Sequence, residues 1–143
     1  MTASGRNWFE IYLLVLTVAW ASIVWITNSD GETVEALFTT IGKHIWLGGL
    51  IISSVIALIG IIMGTITGLL IERAALLLLA GMFGWVGAAF LVLATGVDHL
   101  HLIYVAPLLL IAAGVILSRV FQIKSDIERI KKQLGQASTP PVV

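Results

Sequence analysis

The sequence contains no cysteine, so structural disulfides, thiolate metal sites and cysteine nucleophiles are all excluded, while the redox compartment stays open. Charge is nearly as scarce: 11% of the 143 residues are Asp, Glu, Lys or Arg, against about 25% in an ordinary soluble domain. Between Lys43 and Asp98 the only charged residues are Glu72 and Arg73. The chain lacks a glycine-rich phosphate loop followed by lysine and lacks a nucleophile paired with a base, so the expectation is a protein that is not an enzyme. No histidine falls inside a predicted span, which excludes a haem sandwich, and the reading assigns no cofactor. What the chain does have is apolar surface. Hydrophobic residues make up 59% of it, the mean hydropathy is +1.05, and so large an excess must face lipid or partners. This is the composition of an integral membrane protein.

The N-terminal "MTASGRNWFE" has one Arg ahead of an apolar stretch, as a signal peptide has, but "WASIVWITNSDG" offers no small-residue cleavage site, and the stretch is read as a retained helix. A spanning helix needs roughly 20 mainly apolar residues. Four segments meet that length, at about residues 9–27, 45–67, 71–95 and 102–121. The uncharged stretches on either side of Glu72 and Arg73 are each long enough for one crossing and together too long for one. Because a charge at the bilayer centre costs at least about 2.5 kcal/mol on insertion scales, the expected hairpin turn lies at Glu72 and Arg73. Gly64, Thr67 and Gly68 loosen the chain just before it. Seven of the eight Lys and Arg residues then fall on one side and only Lys43 on the other, so the positive-inside rule predicts both termini in the cytoplasm. Trp8, Trp25 and Trp46 fall near span ends, while Trp20 and Trp85 fall deeper.

Small residues recur at four-residue spacing: Gly60, Gly64 and Gly68 in "GIIMGTITG", then Ala80, Gly84 and Ala88 on the third span. Such faces let helix backbones approach closely in lipid. They either pack the second and third spans together within one chain or join copies of the chain into an oligomer. Beyond the fourth span, "SRVFQIKSDIERIKKQL" places Val120, Phe121, Ile123, Ile127, Ile130 and Leu134 in a stripe at helical spacing, with Lys124, Arg129, Lys131 and Lys132 between them. The fourth span is expected to continue as a cytoplasmic amphipathic helix over 122–134: a solvated extension that sets topology, a self-association seam, or a helix lying on anionic headgroups. Its basic residues are mixed with Asp126 and Glu128, which argues against nucleic acid. "GQASTPPVV", residues 135–143, reads as disordered. His44, Asp98, His99 and His101 lie on the predicted outer side and are the sole candidates for a metal site. His99 and His101 are two apart, so on a helix they diverge, and the simpler reading leaves all of them at the interface without a ligand.

The fold class expected is therefore all-α: an integral membrane four-helix bundle over residues 1–121 with an amphipathic C-terminal helix. From Leu69 to Leu134, the run "LLIERAALLLLAGMFGWVGAAFLVLATG", the last span and "SRVFQIKSDIERIKKQL" resemble small four-span membrane proteins encoded by phages of actinobacteria, many of which lie beside lysis genes and are called holins or holin-like. The resemblance implies a protein that accumulates in the cytoplasmic membrane, self-associates and permeabilises it so that a cell-wall hydrolase can act. It brings no catalytic motif. The expected partners are the lipid bilayer and further copies of the chain. A structural or accessory subunit of a membrane complex, with a membrane-protein partner, is the leading alternative, and a small channel or transporter a third.

Overall fold

A computed structural model of the chain describes residues 8–27, 40–93 and 102–137. It is an all-α four-helix bundle: α1 Trp8–Thr27, α2 Thr40–Met63, α3 Ile66–Leu93 and α4 Leu102–Ala137. All four helices are long and apolar enough to cross a membrane, as expected of a multi-pass membrane protein. In lipid the backbone must satisfy its own polar groups, and a helix does this within one segment. Several hydroxyls in the spans follow the same rule by bonding back along their own helix, although the buried Ser54 Oγ has no partner among the described residues. Thr17 donates to the Leu13 carbonyl at 2.8 Å, Ser53 to Gly49 at 2.6 Å and Ser118 to Val115 at 2.8 Å.

Consecutive helices are the principal neighbours: α1 packs on α2, α2 on α3, and α3 most extensively on α4. One core runs through the bundle, with Leu14 and Ala21 from α1, Leu47, Leu50 and Ala57 from α2, Leu76, Leu79 and Val86 from α3, and Ala106, Ile116 and Ile123 from α4. The outer surface is equally apolar. Ile26, Ile62, Trp85 and Val92 are all more than 70% exposed, the reverse of a water-soluble surface and the pattern of one solvated by acyl chains. Burial is uneven, with 44% of the α2 span window buried but only 11% of the α1 window.

Some boundaries differ from the sequence-based expectation. The hairpin between α2 and α3 turns at Gly64 and Thr65, and Glu72 and Arg73 lie within α3, about 9 Å along the axis from its first residue at 1.5 Å per residue. Gly64 has φ 61°, the left-handed conformation that glycine supplies at a helix C-terminus. Thr65 caps the next helix: the Gly68 N–H donates to Thr65 Oγ1 at 3.0 Å, and the Leu69 N–H donates to the Thr65 carbonyl at 3.0 Å. Local capping chemistry sets the turn, and the charge at Glu72 is tolerated inside because it finds a partner. Helix α4 is unbroken from Leu102 to Ala137, so the fourth span and its extension are one helix, and it runs past 135, where the tail reads as disordered. Helix α2 likewise begins at Thr40, five residues before the expected boundary, and takes in Lys43 and His44.

Candidate functional site

Charged residues from three helices converge in the structure. Arg119 reaches from α4 to two carboxylates on two other helices. Its Nε lies 2.8 Å from Glu10 Oε2 on α1, and its Nη2 donates to Glu72 Oε1 on α3 at 3.3 Å. Its Nη1 donates to Gln122 Oε1 at 3.5 Å, one turn further along α4. The Glu10 contact is close, but the N–H does not point along it, so it is an ion pair more than an aligned hydrogen bond. The planar guanidinium suits this task because its fixed donors can serve several oxygens at once. Side-chain exposure is 2% for Glu72, 13% for Glu10 and 20% for Arg119. Ions this deeply placed persist only when paired, since an uncompensated buried charge costs several kcal/mol, of the order of about 3–5.

Three features set this triad apart from a simple ion pair. With two carboxylates and one guanidinium, its formal charge is negative if all three are ionised. Glu10 Oε1 is buried without a hydrogen-bond partner among the described residues. A cavity of about 90 Å³ adjoins the triad, lined by Glu10, Arg119, Gln122 and Ser118 and by the apolar Leu14 and Leu76. A water needs roughly 10–15 Å³ of such space and two or more polar partners, so the cavity has both the room and the groups to hold several. Arg73, the next residue on α3, is half-buried, and its Nε has no partner among the described residues.

The glycines lie in an arrangement that the four-residue spacing does not describe. Gly60 is on α2, Gly64 is in the turn and Gly68 is on α3, so the three do not form one helical face. Gly60 and Gly68 meet across the hairpin. A Cβ added to Gly60 would lie 2.7 Å from the Gly68 carbonyl oxygen and from the Glu72 nitrogen, and one added to Gly68 would lie 2.6 Å from the Gly60 carbonyl oxygen. The close approach is within one chain. Of the second set, Ala80 is buried, Gly84 faces the Ala113 methyl at an ordinary 3.9 Å, and Ala88 is exposed. Gly87 makes the tight contact with α4 in its place, with 3.1 Å from an added Cβ to Leu110.

On the α4 extension, Val120, Ile123 and Ile127 are buried in the common core, while Lys124, Arg129, Lys131 and Lys132 are exposed. Part of the predicted stripe thus packs inside the bundle, and Phe121, placed in that stripe by spacing, is 69% exposed. His44 stacks edge-on against Trp25 with ring centroids 5.1 Å apart. Asp98, His99 and His101 lie outside the described residues, as do the loop residues 28–39 and the tail residues 138–143. No group of three potential metal ligands occurs among the described residues. Trp20 packs edge-on against the buried Trp46 at 6.1 Å.

By position alone Glu10, near the start of the first span, is an interfacial residue, and Arg119 is the first of the five basic residues between Arg119 and Lys132. The signal that joins them is that an ionisable residue within a span demands a partner of opposite charge at similar depth. Chemically, the triad can hold charge and tie three helices together. Compared with protein-family models, curated proteins and solved structures, the chain has no match.

Proposed function

We propose that this protein is a holin-like membrane permeabiliser: a multi-pass protein of the cytoplasmic membrane, with both termini cytoplasmic, that self-associates and opens the membrane to a cell-wall hydrolase. The observation that carries the reading is the continuous apolar exterior of four membrane-length helices, which together account for nearly all described residues. A chain built this way acts within the bilayer. Because Gly60 and Gly68 are occupied inside the hairpin, self-association falls to the weakly buried α1, whose outer face carries Tyr12, Leu16 and Ile23. The exposed Lys124, Arg129, Lys131 and Lys132 on α4 favour a cytoplasmic position for that helix.

The test is inducible expression in a bacterial host, following culture density and membrane potential with and without a coexpressed cytoplasmic endolysin. The expected result is abrupt depolarisation, with lysis only when the endolysin is present. Stable growth and an intact potential at high membrane abundance would overturn the reading. They would turn attention to an accessory subunit whose partner docks on the exposed basic face of α4.

A further inference from the structure

We propose that the groove between α1 and α4 binds a diacyl phospholipid whose headgroup carries a primary amine. Such a site is independent of a role in lysis. Helix α1 packs on α2, and α4 packs on α3. The seam left between α1 and α4 holds two cavities. The first, of about 90 Å³, adjoins the ion triad and is lined in part by Leu13, Leu76 and Ile116. The second, of about 340 Å³, is lined in part by Trp20, Phe83 and Leu109. Leu13 and Trp20 on α1, Leu76 and Phe83 on α3, and Ile116 and Leu109 on α4 are each seven positions apart, which on a helix is one face and about 10 Å along the axis. All three helices step in the same direction, so the two cavities are successive stretches of one groove.

One end of this groove is polar and the rest apolar, the pattern that an amphiphile matches. The polar end is at the right depth for a headgroup: Glu10 lies in the first turn of α1, about 26 Å from Thr27 at 1.5 Å per residue. Deeper in, the Thr17 hydroxyl is turned back onto the Leu13 carbonyl, which leaves the second cavity to an acyl chain. Glu10 selects the headgroup. Its Oε2 is held by Arg119 at 2.8 Å, while its Oε1 is buried without a hydrogen-bond partner among the described residues. A buried oxygen in that condition calls for a donor, and a primary ammonium brings three N–H groups. Arg119 already faces the carboxylates of Glu10 and Glu72, so the site disfavours a headgroup that is only negative. At the mouth, the exposed Gln122 accepts an Arg119 N–H on its Oε1 and keeps its amide N–H groups for the lipid phosphate. Headgroups are bound in this way in polar pockets between membrane helices.

The test is native mass spectrometry of the full chain in detergent, offered equal amounts of phosphatidylethanolamine, phosphatidylcholine and phosphatidylglycerol with identical acyl chains. The expected result is retention of phosphatidylethanolamine over each of the others by at least about tenfold, the ratio that a hydrogen bond to a charged group supplies. Phosphatidylcholine is the sharpest comparison, because it has the same charges and no N–H to donate. Glu10→Gln should lower the ratio several-fold. In vesicles, phosphatidylethanolamine with a photoreactive acyl chain should crosslink to Leu16, Trp20 and Leu109, and unlabelled phosphatidylethanolamine should suppress those crosslinks where phosphatidylcholine does not. Equal retention of the three lipids, a preference for phosphatidylglycerol, a second copy of the chain retained in place of lipid, or a Glu10→Gln variant with the wild-type ratio would each overturn the proposal. The wild-type lipid comparison decides the matter even if the variant fails to fold.

Discussion

Gly60 and Gly68 lie back to back across the α2–α3 hairpin, each so close that an added Cβ would fall within 2.7 Å of the other's carbonyl oxygen. The obstacle is backbone, which cannot rotate away as a side chain can. Gly60→Ala and Gly68→Ala are therefore expected to separate the helices and cost at least the about 1–3 kcal/mol typical of overpacking. Gly81→Ala, with open space around its Cβ, is expected to be neutral or to stabilise by up to about 1 kcal/mol. Unfolding in mixed detergent micelles measures the difference.

The turn itself gives a second prediction. Gly64→Ala forces a side chain into φ 61°, at a cost of about 1–2 kcal/mol. Thr65→Ala removes the oxygen that receives the Gly68 N–H and should cost about 1 kcal/mol. Thr65→Ser keeps that oxygen and should recover most of the loss in the same unfolding assay.

Tryptophan environments provide a test of which surface faces lipid. Trp85 is 71% exposed and Trp46 is 8% exposed, with Trp20 against it. In single-tryptophan variants reconstituted with brominated lipids, Trp85 fluorescence should be strongly quenched and Trp46 fluorescence largely protected. Equal quenching would contradict the packing of α1 on α2.

The α4 extension is a packed element at its base. Ile123 is fully buried and Phe121 is 69% exposed. Ile123→Ala should cost about 2–5 kcal/mol, whereas Phe121→Ala should change stability by no more than about 0.5 kcal/mol. If both were neutral, the extension would not be anchored in the core.

The sequence made the four spans legible because long apolar runs have few alternatives once charge is priced against lipid. The same pricing misplaced the turn. It treats each charge as alone, and Glu72 is not alone, since Arg119 stands 47 positions further along the chain and meets it inside the bundle. The local signal was present in "MGTITG", where a glycine that can end one helix precedes a threonine that can cap the next. The four-residue glycine spacing, read along one helix, concealed a contact made across two. The ion triad was the least legible feature, because its three members are far apart in sequence and each has an ordinary explanation by itself.

Charge, held inside an apolar bundle, ties the helices together. A double-mutant cycle on Arg119 and Glu72, followed by unfolding in detergent, tests it most directly. Arg119→Met leaves two buried carboxylates without their cation and should cost about 3–5 kcal/mol. Adding Glu72→Gln should restore part of that loss, giving a coupling energy of at least about 1 kcal/mol. Effects that add to within about 0.5 kcal/mol would mean that the two residues do not interact in the folded protein, and the triad would fall with them.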